Sequence, residues 1–187
     1  MSCPVLESQY SEWLHYKNGD TVKYINNTGN EIYFIVYTAE ESPSSVHCSK
    51  SSYGCNCPDC PLPYVSAKAK TDDTSRQYVY QGTTYNSTAL NTYITKRIRQ
   101  VDTVAELQYQ ILNHSNLLKL SPVLTLNSGD SLLSNFTAGA INYSNVILHQ
   151  IDTTVAWAFI WKSYYSKEYG IIAFYDRKTQ SLFYRKP

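Results

Sequence analysis

"DTVKYINNTGNEIYFIVYT", residues 20–38, decides the fold class. Val22 and Tyr24 alternate with polar residues, and a second run of β-branched and aromatic residues extends from Ile32 to Tyr37. Between them stands "NNTGN", whose Asn and Gly residues tolerate the positive φ that a tight hairpin turn demands. Period-two alternation on both sides of such a turn means two antiparallel strands. The same pattern recurs along the chain. Residues 156–186, "AWAFIWKSYYSKEYGIIAFYDRKTQSLFYRK", divide into three strand-like runs separated by "SKEYG" and "DRKTQ", a meander. Alternation there places Trp157, Phe159 and Trp161 on one face and Ala158 and Ile160 on the other.

Between these ends, "SRQYVYQGTTY" (75–85), "AELQYQILNH" (105–114), "SPVLTLNSGDS" (121–131) and "YSNVILHQID" (143–152) each hold a short β-favouring run bounded by Asn, Ser, Gly or Asp. Two stretches admit helix. In "STALNTYITKRIRQV" (87–101), Leu90, Tyr93, Ile94 and Ile98 fit helical as well as strand spacing, with Ser87 or Thr88 as N-cap. In "ESQYSEWLHY" (7–16), Tyr10, Trp13 and Leu14 share a helical face before Gly19 ends the run. The expectation is one all-β domain over residues 1–187. It is a mainly antiparallel meander, a curved open sheet or sandwich, with one or two short helices and a loop at about 40–62.

The chain has 187 residues, long enough for a real core without covalent help. Its 16 Lys and Arg against 15 Asp and Glu give a net charge of +1, which offers no basic face for a phosphate backbone, so nucleic acid is not an expected partner. The longest apolar run, "VAWAFIW", is far short of the roughly 20 residues a spanning helix needs. No charged segment followed by an apolar one opens the sequence. With only 17% charged residues and 18 tyrosines, the surface resembles that of an extracytoplasmic protein.

Four of the five cysteines crowd into "VHCSKSSYGCNCPDC", residues 46–60. Three chemistries compete there. His47, Cys48, Cys55, Cys57 and Cys60 could supply the four donors of a tetrahedral zinc site, at about 2.0–2.3 Å, although such sites usually pair two separated ligand knuckles. "CPDC" (57–60) has redox spacing, but no helix start or neighbouring cation that would lower a thiol pKa can be read nearby. The third reading is two disulfides among Cys48, Cys55, Cys57 and Cys60, with Cys3 left over or pairing across the fold, and spacing alone does not choose the connectivity. Such staples belong to an oxidising compartment, in line with the composition.

Other chemistry is sparse. His15, His47, His114 and His149 are scattered, with no H-E-x-x-H or H-x-H; there is no G-x-S-x-G elbow, no Walker A run and no G-x-G-x-x-G. The adjacent acidic pairs Glu40-Glu41 and Asp72-Asp73 would point to opposite faces of a strand, unlike a glycosidase pair. Five N-x-[ST] sequons, at Asn26, Asn86, Asn113, Asn135 and Asn142, are expected by chance in a chain this rich in Asn, Ser and Thr. Trp157, Phe159 and Trp161 are candidates for lining an apolar ligand pocket, with core packing as the default.

The opening "CPVLESQYSEWLHYKNGDTVKYINNTGNEIYFIV", the C-x-C-x-x-C loop, "YSNVILHQID" and the closing "WKSYYSKEYGIIAFYDRKTQSLFYRK" together resemble small cell-envelope lipoproteins of Bacteroidetes, a group with no assigned activity. The motifs that carry the resemblance are Y-K-x-G-D-T-V (16–22) and Y-Y-x-K-E-Y-G-I-I-x-F (164–174). It implies an exported protein anchored through a lipid upstream of or at Cys3, periplasmic or surface-exposed, and it carries over no catalytic residue. The expected function is non-enzymatic, binding or structural, with no cofactor. The alternatives are a carrier of a lipid or other apolar ligand held by the C-terminal aromatics, and a zinc- or thiol-dependent enzyme at the cysteine loop.

Overall fold

In the computed structural model the 20–38 stretch is the hairpin its alternation requires. β1 (Thr21–Ile25) pairs antiparallel with β2 (Glu31–Glu41), Val22 opposite Phe34 and Tyr24 opposite Ile32, and all four side chains are buried on one face. The turn is built by Asn26, whose side-chain oxygen accepts from Thr28 N (3.1 Å), Thr28 Oγ1 (2.8 Å) and Asn30 N (2.9 Å). Gly29 takes φ +85°, a conformation costly for any residue with a Cβ. Because Asn26 Nδ2 is buried, the sequon at this position presents no accessible acceptor.

The described residues are 8–14, 16–41, 64–70, 77–80, 83–86, 89–98, 103–112, 114–120, 124–151, 154 and 159–187. All five cysteines, His15, His47 and Trp157 lie outside them, so the zinc, disulfide, thiol and lipid-anchor expectations fall on residues not described. The remaining strands are β3 (Tyr64–Lys70), β4 (Gln77–Tyr80), β5 (Thr83–Asn86), β6 (Ala89–Ile98), β7 (Thr103–Ile111), β8 (His114–Lys119), β9 (Asp130–Ala138), β10 (Ile141–Gln150), β11 (Ile160–Ser166), β12 (Gly170–Asp176) and β13 (Ser181–Arg185). Helix is confined to one turn, α1 (Ser8–Ser11), among the described residues. Within the ambiguous 87–101 segment the described residues Ala89–Ile98 are strand: β6 lies between β3 and β7, and its β-branched residues are of the types that favour a pleated surface.

Eleven strands form one antiparallel sheet, ordered β8-β7-β6-β3-β2-β1-β13-β12-β11-β10-β9, and β4-β5 is a separate hairpin. Neighbours in the sheet are neighbours in sequence except at two places. β3 meets β6 across the β4-β5 insertion, and β1 meets β13, which joins the two ends of the chain. The sheet curls until its edges approach. Across the seam Asn116 Nδ2 donates to Asp130 Oδ1 (3.2 Å), Asn127 donates to the Leu117 carbonyl, and the Tyr109 and Ser163 hydroxyls lie 3.3 Å apart. Curling brings two exposed strand edges toward each other, a geometry that shields them from pairing with other chains.

The main core fills the inside of the curl. Tyr24 packs edge-on against Phe34 (5.9 Å) and Phe174 (5.2 Å), Phe174 stacks on Phe183 (5.4 Å), and Tyr109 stacks on Tyr165 (4.8 Å). The N-terminal segment packs onto this core with Tyr10, Trp13 and Leu14, the trio expected to share a face. It is pinned by Tyr165 Oη donating to the Trp13 carbonyl (2.6 Å) and by Ile171 N donating to Tyr16 Oη (3.3 Å).

A second, smaller core lies on the outside of the sheet. β10 pairs with β11 only from Ile147 to Gln150; before that, Asn145 adopts φ +53° and the β9-β10 hairpin continues beyond β11. Tyr143, Val146 and Ala138 there pack on Ile172 and Ala173 of β12, with Tyr184 of β13 at the rim. A bulge between the Tyr164/Ala173 and Tyr165/Ile171 pairs gives β12 one extra residue, so Ile171 and Phe174 face the inner core while Ile172 and Ala173 face the outer one.

Candidate functional site

Where the end of β13 runs beside the start of β1, Lys186 N donates to the Lys23 carbonyl (2.8 Å) and extends the ladder past Arg185. The tip region of the β9-β10 arm supplies Ile141 and Tyr143 on one side, and the β11-β12 turn supplies Tyr169. Together they bound a cleft of about 560 Å³, whose floor and walls also include Thr21, Val22, Arg185 and Lys186. Three cations, Lys23, Arg185 and Lys186, line it together with Pro187, and no acidic side chain, imidazole or thiol does.

The three cations are held differently. The Arg185 guanidinium donates to the Tyr169 carbonyl and lies 5.7 Å from the centre of the Tyr16 ring, so it is oriented by one hydrogen bond and a cation-π contact. Lys186 Nζ is 3.1 Å from Glu31 Oε1, with both side chains about half exposed, a pairing that solvent weakens. Lys23 is exposed and has no ion-pair partner among the described residues. Tyr143 meets Tyr169 edge-on at 5.4 Å. Burial raises the Tyr143 hydroxyl above the ordinary tyrosine value, against an opposing pull from Arg185, so it stays protonated and able to donate. The arrangement is therefore a set of donors and positive charges, one of them shared with Glu31 outside the lining, suited to holding an anion.

A second polar cluster sits at the seam. Asp130, His149 and Ser163 occupy directly opposite positions on β9, β10 and β11. His149 Nδ1 contacts Asp130 Oδ1, Asp130 Oδ2 accepts from Asn127 N (2.8 Å), and Asn116 Nδ2 joins Asp130 to the Tyr109 hydroxyl (3.2 Å). Ser, His and Asp in a row suggest a nucleophile with its base. Yet Ser163 is fully buried and its hydroxyl faces that of Tyr109, whose ionisation burial pushes up to about 12. The cluster satisfies polar groups where the sheet's edges meet, which is what a buried network must do to be stable.

Of the apolar-ligand candidates, Trp157 lies outside the described residues and the other two part company. β11 begins only at Ile160, and Phe159, just before it, packs against the inner core. Trp161 is the extra residue of a bulge and stacks on Tyr175 (5.6 Å, interplanar 2°), whose partner across β13 is Leu182 of the outer core. One bulge thus overturns the shared face that strict alternation assigns to Phe159 and Trp161. Among the other described C-terminal aromatics, Tyr165, Phe174 and Phe183 are buried in the inner core, whereas Tyr169 lines the cleft.

The cleft residues Lys23, Arg185, Lys186 and Tyr143, and the Asp130-His149 contact, were not singled out by sequence reasoning. The only available signal was indirect: cations in "TVKY" and "FYRK" converge once the first and last strands of the sheet are paired. Among the described residues no group of His, Cys, Asp and Glu could hold a metal ion, and no helix is long and apolar enough to cross a membrane. No protein-family model, no curated protein and no solved structure matches the chain.

Proposed function

We propose that this is a non-enzymatic binding protein of the cell envelope, lipid-anchored at or upstream of Cys3, whose ligand site is the cleft between β1, β13 and the β9-β10 arm. The observation that carries the binding part is the cleft's lining, with Lys23, Arg185 and Lys186 gathered around about 560 Å³ and no acidic residue among them. In a chain of net charge +1 that local excess is a feature of the fold rather than of the composition. The ligand accordingly carries at least one carboxylate or another oxyanion. The envelope address rests on the composition, on the resemblance to Bacteroidetes lipoproteins, and on reading Cys48, Cys55, Cys57 and Cys60 as disulfide partners.

Calorimetric titration of the full chain with small oxyanions (glucuronate, galacturonate, succinate and inorganic phosphate) tests the site. At least one should bind, and Lys23→Gln should weaken it by about tenfold, the usual worth of one charge-assisted contact. Absence of binding across the set, or unchanged affinity in Lys23→Gln, refutes the assignment. Intact mass with and without reductant tests the address: bridged cysteines lower the mass by two hydrogens per bridge, and fully reduced thiols or one equivalent of zinc would refute it.

A further inference from the structure

The β9-β10 arm covers the outside of the sheet over β12 and β13, and next to that cover β1 and β2 are bare. Along β2 the outward residues Tyr33, Ile35 and Tyr37 are 42%, 42% and 53% exposed, three of the six large hydrophobics exposed among the described residues. This stripe is continuous with the cleft. Lys23 is directly opposite Tyr33 and Thr21 directly opposite Ile35, so the cleft's β1 wall and the stripe share one surface. On the far side Thr38 pairs with Lys68, which is also exposed. Two aromatic rings and an aliphatic side chain thus lie between one lysine at the cleft and another beyond it.

We infer that the ligand is a linear acidic glycan, with one uronate carboxylate held in the cleft by Lys23 and Arg185 and the following sugar units laid across Tyr33 and Tyr37. This rests on the proposal that the cleft takes an anion. The rings present flat faces of negative potential to the polarised C–H bonds of a pyranose, and their hydroxyls reach the sugar's own. Further carboxylates along the chain find Lys68, giving charge complementarity at both ends of the stripe. An extended peptide fits less well. β2 is an interior strand with β1 and β3 bonded on its two sides, so no free edge exists there for strand addition. Three half-exposed side chains also fall well short of the ~800 Å² per partner of a stable protein interface.

The test compares galacturonate, a linear oligogalacturonate, the neutral methyl ester of that oligomer and an acidic peptide of equal charge, each titrated into the full chain. The oligomer should bind about tenfold or more tighter than the monomer, as added contacts along one chain require. The double variant Tyr33→Ala/Tyr37→Ala should bring the oligomer down to the monomer's affinity and leave the monomer unchanged. Both substitutions are on exposed positions, so circular dichroism and the unfolding midpoint should match the parent. The ester should bind weakly. Equal affinity for monomer and oligomer, or no effect of the tyrosine variant, overturns the glycan track while the cleft stands. Failure of every anion overturns the cleft and the track together, and tighter binding of the peptide overturns the choice of a sugar.

Discussion

On the inner face of the curled sheet Tyr24, Phe34, Phe174 and Phe183 are at most 1% exposed and pack ring to ring, whereas on the outer face the β9-β10 arm builds a small core over β12 and leaves the outward side chains of β1 and of Tyr33, Ile35 and Tyr37 exposed. The difference is written into the strands. β1 under no cover alternates, Thr21 and Lys23 out, Val22 and Tyr24 in. β12, between the inner core and the arm, is buried at every position from Gly170 to Phe174. A strand alternates in polarity only if one of its faces meets water, and becomes an apolar run when both are packed. The outer core is thus a local addition to a structure that the inner core organises, and the exposed outward side chains of β1 and β2 are what is left to bind something.

The sharpest challenge to that ranking is to damage the inner core alone. Phe174 touches Tyr24 on one side and Phe183 on the other, so Phe174→Ala removes a ring from the middle of three and should cost about 3–5 kcal/mol. Urea unfolding followed by near-UV and far-UV circular dichroism should show one coincident transition at a much lower midpoint. A cost below that of an equivalent truncation in the outer core, such as Ile172→Ala, would reverse the order of the two regions.

Alkaline pH probes the same contrast without mutation. Burial raises Tyr24 and Tyr165 well above the ordinary value, Tyr16 above it, and Tyr109 to about 12, all on the inner side. Below pH ~10 both folded and unfolded chains hold these protons, and stability does not change on their account. As pH rises from about 10 toward 12 the unfolded chain releases protons that the fold retains, so stability falls, by about 3 kcal/mol for Tyr109 alone. Urea midpoints should be flat to about pH 9.5 and then drop. Tyrosinate absorbance should appear in two stages, the second coinciding with loss of secondary structure. A single smooth titration of all tyrosines before unfolding would mean the inner core is open to water.

Much of this architecture could be read from the chain because its turns are chemically explicit. "NNTGN" supplies both the Asx oxygen and the glycine the first hairpin uses, and "SKEYG" and "DRKTQ" bound the last three strands where the structure turns. The helix-or-strand ambiguity at 87–101 could not be settled locally, since Leu90, Ile94 and Ile98 satisfy both periods and only pairing with β3 and β7 chooses. Two other features depend on register between distant residues. Asp130, His149 and Ser163 align because three strands pair in one particular frame, and a one-residue slip would turn His149 to the other face. The cleft likewise needs β1 beside β13, a pairing of the chain's two ends. Bulges at Trp161 and Ile172 are equally invisible to a period of two, and they decide which aromatics meet.

A smaller and more local effect is expected at Gly139, in the turn between β9 and β10. Its φ is +62°, and a Cβ there would stand 2.6 Å from Tyr184 Cε2. Gly139→Ala therefore forces a left-handed alanine, at about 1–2 kcal/mol, and pushes the arm's tip off the Tyr184 ring. If the outer core is an addition, the damage stays there. Amide exchange should speed up in 135–144 while β1, β2 and β12 keep their protection, because regions with separate packing open separately. Ile141 and Tyr143 move with the arm, so affinity for an oxyanion in the cleft should fall although Lys23 and Arg185 are untouched. Uniformly faster exchange across both cores would mean instead that the arm and the curl unfold as one unit, and the division between the two faces would lose its energetic meaning.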